Sequence, residues 1–222
     1  MVMVAIVLLP GCGTMSQTAK GTAIGSGSGA VLGAIVGTLI AKDAKGAAIG
    51  AAVGTAVGGG TGALIGKKMD KKAEELAALE NAQVETITDK NGLEAIKVTF
   101  SSGILFPFNG TALSDGSKAE LKEFAQKMSD LQETDITIYG HTDNTGSAEV
   151  NERISRQRAE SVQNYLTSCG IAADRLTSQG LSFNDPVADN ATAEGRAQNR
   201  RVEIYISANE EMIKAAEAGT LE

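Results

Sequence analysis

The stretch Asp135-Ile-Thr-Ile-Tyr-Gly-His-Thr-Asp-Asn-Thr-Gly146 decides the fold of the C-terminal half of the chain. Its first five residues alternate between polar and apolar side chains, which predicts a strand that ends at Gly140. A polar loop, His141–Gly146, follows, and the segment 148–167 predicts a long helix. The loop therefore lies just past a strand end, where binding residues concentrate.

The sequence on both sides of this stretch predicts more elements of the same domain. Segments 93–100 and 201–207 alternate as strands do, and 175–183 is partly extended. A further helix carries four apolar side chains on one face: Leu121, Phe124, Ala125 and Met128. The order β-α-β-α-β predicts a two-layer α+β or α/β domain, with helices on one face of a small mixed sheet.

The composition limits the function. The 222-residue chain has a net charge of −7 and a pI of about 4.9, so it repels phosphate backbones and we expect no nucleic-acid partner. Two cysteines and one histidine are too few for a disulfide framework or a four-ligand structural zinc site. The sequence assembles no nucleophile, acid–base pair or metal cluster, so we expect neither enzymatic activity nor a cofactor.

The N-terminus has the pattern of an exported lipoprotein. Val2–Leu9 is an apolar run that is too short to cross a bilayer but is typical of a secretory signal. Leu9-Pro-Gly-Cys12 follows and resembles the bacterial lipobox. We expect residues 1–11 to be a signal peptide truncated at its start, since no basic residue precedes the run. Cys12 would carry acyl chains, palmitate among them, ahead of a lipid-anchored linker over 12–20.

The segment 21–66 has the spacing of a glycine zipper. Its glycines recur every fourth residue in two registers: Gly21, Gly25, Gly29, Gly33 and Gly37, then Gly46, Gly50, Gly54, Gly58, Gly62 and Gly66. A stripe without side chains lets helices approach closely, and a charged break at 41–45 predicts a helical hairpin. Two alternatives stay open. The hairpin inserts in a membrane, or it packs on itself or on copies of itself at the membrane surface.

The remaining boundaries follow from charge. Residues 67–91 are charged with few breakers and predict a helical connector. The α/β domain is expected over 92–208, and the acidic end, 209–222, is expected to be a flexible tail.

Three motifs in order resemble the OmpA-like peptidoglycan-binding domain family. They are the Gly-His-Thr-Asp loop at Gly140–Asp143, the Asn-x2-Leu-Ser-x2-Arg-Ala-x2-Val-x3-Leu helix at Asn151–Leu166, with Ile154 in place of its first Leu, and the closing motif Gly195–Glu203. The resemblance covers about 93–207. The whole layout is similar to that of YiaD-type outer-membrane lipoproteins.

The resemblance implies that Asp143 and Arg158 bind meso-diaminopimelate in the peptidoglycan stem peptide. The free end of that residue is an amino-acid zwitterion, which needs an acceptor for its ammonium and a forked donor for its carboxylate. Accessory candidates lie in the same motifs: Thr142, Asn144, Asn151, Ser155, Arg200 and Arg201. One of the last two arginines should face the ligand, and the alternation leaves open which one. His141 is expected to be a hydrogen-bonded loop residue.

These features predict a non-enzymatic tether between the outer membrane and the cell wall. Lipid at Cys12 would hold one end in the outer membrane, which Gly13 favours because it is not the aspartate that resembles an inner-membrane retention signal. The domain would bind peptidoglycan in the periplasm. The alternative is a membrane-associated oligomeric assembly, or a stator-like protein anchored to the wall, in which the glycine zipper self-associates.

Overall fold

The computed structural model describes residues 59–107 and 109–221. The expected signal peptide, the linker with Cys12 and most of the glycine zipper lie outside these residues. The elements in chain order are helix α1 (Gly59–Leu76), strands β1 (Ala82–Thr88) and β2 (Glu94–Ser101), helices α2 (Ser102–Leu105) and α3 (Asp115–Lys127), strand β3 (Thr134–His141), helix α4 (Ala148–Ser168), strand β4 (Leu176–Ser182), helix α5 (Ala193–Asn199), strand β5 (Arg201–Ala208) and helix α6 (Glu210–Glu217).

The strands form one five-stranded sheet in the order β1-β2-β5-β3-β4. Strands β3 and β4 are parallel and are connected through α4, whereas the other neighbours are antiparallel. The predicted small mixed sheet with helices is confirmed. Alternate side chains of the three central strands enter the core that the helices cover: Ile96, Val98, Phe100, Ile136, Ile138, Val202, Ile204 and Ile206.

The opposite face of the sheet is different in character. Tyr139 and Tyr205 meet edge to face there, with ring centroids 5.4 Å apart, beside Ile87 and Leu181. Buried charged groups lie on the same strands, among them Glu203. Within residues 59–107 and 109–221, this face is therefore held by a small aromatic cluster and ion pairs, and no second layer of helices covers it.

The first part of the expected connector belongs to the folded domain. Helix α1 continues from the last zipper glycines as far as Leu76, and its Ile65, Met69 and Leu76 are fully buried in the core. Lys72 is also buried. Its charged ammonium is tolerated there because it donates to Asp130 at 2.5 Å and to the Lys127 carbonyl at 2.8 Å. The boundary expected at residue 66 is therefore the middle of one helix.

The second part of the connector was expected to be helical and is instead strand β1. It pairs with β2 as a hairpin, and Asp89 closes the turn by accepting the backbone N–H groups of Asn91 and Leu93. Gly92 adopts the left-handed conformation that the turn requires, with φ of 75°. The strand has few apolar residues and lies at the sheet edge, so its pairing with β2, and not its own pattern, determines its structure.

The expected flexible tail is also corrected. Residues 210–217 form helix α6, whose Met212, Ile213 and Ala216 are buried against the rest of the core. The side chain of Asn209 caps its first turn by accepting the N–H groups of Glu211 and Met212. The acidic composition of this segment made its short apolar face hard to recognise in the sequence. The helix is stabilised because that face packs against α1 and β5.

Candidate functional site

The candidate site lies where β3 ends and α4 begins. Thr142 and Asp143 follow the strand and are buried, and Gly146, with φ of 93°, reverses the chain. Ser147 then caps α4 by accepting the Val150 N–H. The loop thus ends in a turn at Gly146 and a side-chain cap from Ser147.

Helix α4 crosses the sheet at an unusually close distance. A Cβ atom on Gly140 would lie 2.9 Å from the carbonyl carbon of Ser155, and one on Gly180 would lie 2.7 Å from the Cα of Arg156. The Ser155 hydroxyl accepts the backbone N–H of Ser182 at 3.1 Å, which ties the helix to the end of β4. These contacts determine how far α4, and hence Arg158 one turn later, stands from the sheet.

Asn151 and Ser155 therefore have a role that the sequence alone did not indicate. The Asn151 amide donates to the Thr145 carbonyl at 2.9 Å, and both side chains are buried in contacts with the chain itself. They hold the loop and the helix together. Through these contacts, Asn151 and Ser155 position Asp143 in the loop and Arg158 on the helix.

Asp143 is bonded through both carboxylate oxygens. Its Oδ1 accepts the Thr145 N–H at 2.8 Å, and its Oδ2 lies 2.5 Å from Nη1 of Arg200. Burial alone would raise the pKa of Asp143, but the hydrogen bonds from Arg200 and Thr145 outweigh it, so the pKa lies below its ordinary value. The carboxylate is charged at neutral pH.

Arg158 is held by a different set of contacts. Its Nε donates to the Gly110 carbonyl at 3.0 Å, and its guanidinium lies 5.2 Å from the centre of the Phe106 ring. Within the described part of the chain, its two terminal nitrogens make no hydrogen bond. Burial and the nearby positive charge of Arg200 lower the pKa of Arg158, and Asp143 opposes this. The charges of both Arg200 and Asp143 therefore act on Arg158.

Two consecutive arginines, Arg200 just before β5 and Arg201 as its first residue, point to different surroundings. Arg200 reaches Asp143, and its side chain is 42% exposed. Arg201 is buried on the opposite face of the sheet, where its Nε donates to Glu203 at 2.7 Å and its Nη2 to the Asp185 carbonyl at 3.1 Å. The alternation predicted such a division, and the structure places Arg200, not Arg201, at the candidate site.

The other candidates contribute less directly. Thr142 has a buried hydroxyl with no hydrogen-bond partner among residues 59–107 and 109–221. The side chain of Asn144 is exposed, and its backbone N–H donates to Asn190 at 3.3 Å. Phe106, Gly110 and Asn190 were not predicted to belong to this region, since only the folded chain brings their segments to the loop.

His141 does not behave as the expected hydrogen-bonded loop residue. It is the last residue of β3 and is 1% exposed, with Nε2 3.6 Å from Oε2 of Glu203, too far for a good hydrogen bond. Burial lowers the pKa of His141, which keeps the ring neutral.

His141, Asp185 and Glu203 could be considered as metal ligands, because their ligand atoms lie within 4.8 Å of one another. Arg201, however, donates to Glu203 and contacts Asp185 at 3.4 Å, so a guanidinium already neutralises both carboxylates. Glu203 also accepts the Tyr205 hydroxyl at 2.8 Å. The group is better described as a buried ion-pair network than as a metal centre.

The residues that the structure describes include only the last part of the glycine zipper, from residue 59 onward. Among them, no helix combines the length and hydropathy of a membrane span.

In a comparison with known proteins, two family models match separate parts of the chain. The OmpA family model matches residues 105–200, and the YMGG-like Gly-zipper model matches residues 1–70. Peptidoglycan-binding protein ArfA of Mycobacterium tuberculosis is 41% identical over 113 residues, which are 51% of this chain and 35% of ArfA. Probable lipoprotein YiaD of Escherichia coli is 38% identical over 112 residues, 50% of this chain and 51% of YiaD. The match thus spans between about a third and about half of these relatives.

Two solved structures have a similar fold. A MotB-like protein from Desulfovibrio vulgaris has a TM-score of 0.55 and 26% identity, over 67% of this chain and 91% of that one. The cell wall anchor of the T6SS from Pseudomonas aeruginosa has a TM-score of 0.54 and 28% identity, over 64% of this chain and 97% of that one.

Proposed function

We propose that this chain, whose residues 105–200 match the OmpA family model, binds peptidoglycan without cleaving it, through the meso-diaminopimelate of the stem peptide. One observation carries the proposal. The Asp143 carboxylate lies 2.5 Å from Arg200, and the free fork of Arg158 is close enough for both charges to affect its pKa. ArfA, which is similar over this region, is a peptidoglycan-binding protein by name.

This set of charges suits an amino-acid zwitterion. The ligand's ammonium would bind Asp143, and its carboxylate would take the fork of Arg158, whose Nε is already fixed by Gly110. A charge-assisted hydrogen bond contributes about 1.5–3 kcal/mol net, so a single stem peptide would bind weakly. Firm attachment to the wall would come from many copies that engage one polymer.

The test is sedimentation of the full chain with purified cell-wall sacculi. Asp143→Asn keeps the side-chain shape and removes the charge, Arg158→Gln replaces the guanidinium with a shorter neutral amide, and each should reduce the sedimented fraction about tenfold or more. Arg156→Gln is the matched control, because Arg156 lies on the same helix, is 57% exposed and pairs only with Glu160 among the described residues. Circular dichroism would verify that each variant is folded. Undiminished sedimentation of both site variants would refute the assignment.

Specificity for diaminopimelate is tested with a second kind of sacculus. Lysine in place of diaminopimelate retains the ammonium but lacks the terminal carboxylate, so the fork of Arg158 loses its partner. We expect clearly weaker sedimentation with lysine-type sacculi. Equal sedimentation would leave peptidoglycan binding in place and remove the role assigned to the carboxylate. Release of soluble muropeptides by the purified protein would contradict binding without cleavage.

We also propose that Cys12 is acylated and that the chain tethers the outer membrane to the wall. The motif Leu9-Pro-Gly-Cys12 after an apolar run supports this proposal. Mass spectrometry of the mature N-terminus should find a lipid-modified Cys12, and Cys12→Ser should move the protein from the outer-membrane fraction to the soluble fraction. An unmodified Cys12 in the mature protein would refute the lipid anchor.

A further inference from the structure

The acceptor that the proposed ligand needs is already occupied in the structure. Asp143 has one oxygen bonded to the Thr145 N–H at 2.8 Å and the other 2.5 Å from Nη1 of Arg200. Each oxygen retains a second lone pair, so an incoming ammonium either shares this carboxylate with Arg200 or displaces Arg200 from it. Arg200 consequently affects binding whichever way the ligand enters.

The two partners of this ion pair differ in their freedom to move. The Asp143 side chain is 10% exposed and anchored by Thr145, whereas the Arg200 side chain is 42% exposed. The backbone of Arg200 is fixed, since its N–H donates to the Arg196 carbonyl and its carbonyl accepts the Ser102 N–H at 2.9 Å. A rearrangement at this pair is therefore confined to the Arg200 side chain, which can turn within solvent.

The charges at the site are unbalanced without a ligand. Two guanidinium groups, those of Arg158 and Arg200, accompany one carboxylate, and the positive charge of Arg200 adds to burial in lowering the pKa of Arg158. Arg158 cannot move away, because Gly110 and the Phe106 ring hold it. A carboxylate placed between the two arginines would remove this repulsion.

We infer that Arg200 exchanges partners when the ligand binds, releasing Oδ2 of Asp143 to the ligand's ammonium and binding the ligand's carboxylate together with Arg158. This inference rests on the proposed function and makes Arg200 a specificity-determining residue. The site then selects stem peptides whose diaminopimelate keeps a free carboxylate beside its ammonium. It discriminates against peptides in which that carboxylate is an amide, because the amide brings no charge to offset the second arginine.

The experiment is calorimetric titration of the full chain with two peptides. One is L-Ala-γ-D-Glu-meso-diaminopimelate, and the other is the same peptide with its D-centre carboxylate amidated. The wild-type protein should prefer the free carboxylate by about tenfold or more. Arg200→Gln should reduce this preference to about threefold, since Arg158 remains. Arg200→Lys, which keeps the charge but not the fork, should be intermediate. Arg156→Gln should leave the preference unchanged.

The outcomes separate this inference from the proposed function. If the wild-type protein binds neither peptide at concentrations up to about 1 mM, the assignment of diaminopimelate as the ligand fails and the inference with it. If the wild-type protein binds both peptides equally, or if Arg200→Gln changes both affinities by the same factor, the partner exchange is overturned while diaminopimelate binding stands. A thermal melt of each variant shows that the measured protein is folded, and Arg200→Lys replaces Arg200→Gln if the latter does not fold.

Discussion

Adding one methyl group at Gly140 should both destabilise the domain and weaken the site. The new Cβ would lie 2.9 Å from the Ser155 carbonyl carbon and closer still to its oxygen, whereas ordinary contacts begin at 3.4 Å. Both atoms belong to the backbone of α4, so no side-chain rotation relieves the clash. The helix must move outward or the strand must bend.

The magnitude follows from the kind of atoms that collide. Overpacking in a core costs about 1–3 kcal/mol, and a clash with backbone belongs at the upper end, about 3 kcal/mol. For a folded unit of this size, each kcal/mol lowers the melting temperature by about 2–4 °C, so Gly140→Ala should melt about 6–12 °C below the wild-type protein. Arg158 moves with α4, so sacculus binding should fall as well.

The assay is a thermal melt followed by circular dichroism, with Gly116→Ala as the matched control. Gly116 lies in helix α3 with no atom closer to its added Cβ than 4.0 Å, so alanine there should be neutral or stabilise by up to about 1 kcal/mol. If Gly140→Ala melts within about 1 °C of the wild-type protein, α4 does not approach the sheet as described, and the argument for how Arg158 is positioned fails.

Three further predictions concern titration and the C-terminal helix. Burial lowers the pKa of His141, so below the ordinary value of about 6.5 the unfolded chain takes up a proton that the folded domain does not. The free energy of unfolding measured in urea should therefore be lower at pH 5.5 than at pH 7.5. His141→Asn should reduce this difference. The pKa of Asp143 lies below its ordinary value because the hydrogen bonds from Arg200 and Thr145 outweigh the effect of burial. Sedimentation with sacculi should therefore be constant from about pH 8 to pH 5 and decline only below about pH 3.9. A loss of sedimentation with its midpoint near pH 7 would contradict this. Met212 is fully buried, so Met212→Ala should cost about 2–5 kcal/mol in a urea titration, whereas the same change at a freely moving tail would cost nothing.

The elements that could be predicted are those whose own pattern determines their state. The strand ending near Gly140 and the helix from Ala148 have strong periodicity, and the structure has both within a few residues of their expected bounds. Strand β1 and helix α6 were missed for one reason. Each is too short or too polar to be stable alone, and each is ordered by a partner that lies far away in the chain.

The close approach of α4 to the sheet was equally invisible beforehand. Gly140 was interpreted as the end of a strand, but the structure has it inside β3, opposite Ser155. The sequence alone does not distinguish a glycine that a turn requires from a glycine that a closely packed helix requires. Only the distance between two segments distinguishes them.

The sequence by itself determined which charged groups are available to the site and their order along the chain. They are the carboxylate of Asp143, Arg158 on the following helix, and Arg200 and Arg201 at the start of the last strand. The tertiary structure decided which of them meet. It paired Asp143 with Arg200, 57 residues away in the chain, and turned Arg201 to the buried face beside Glu203. The physical reason is that charge type is a property of each residue, whereas Coulomb and hydrogen-bond energies depend on separations that exist only after the sheet and α4 have packed.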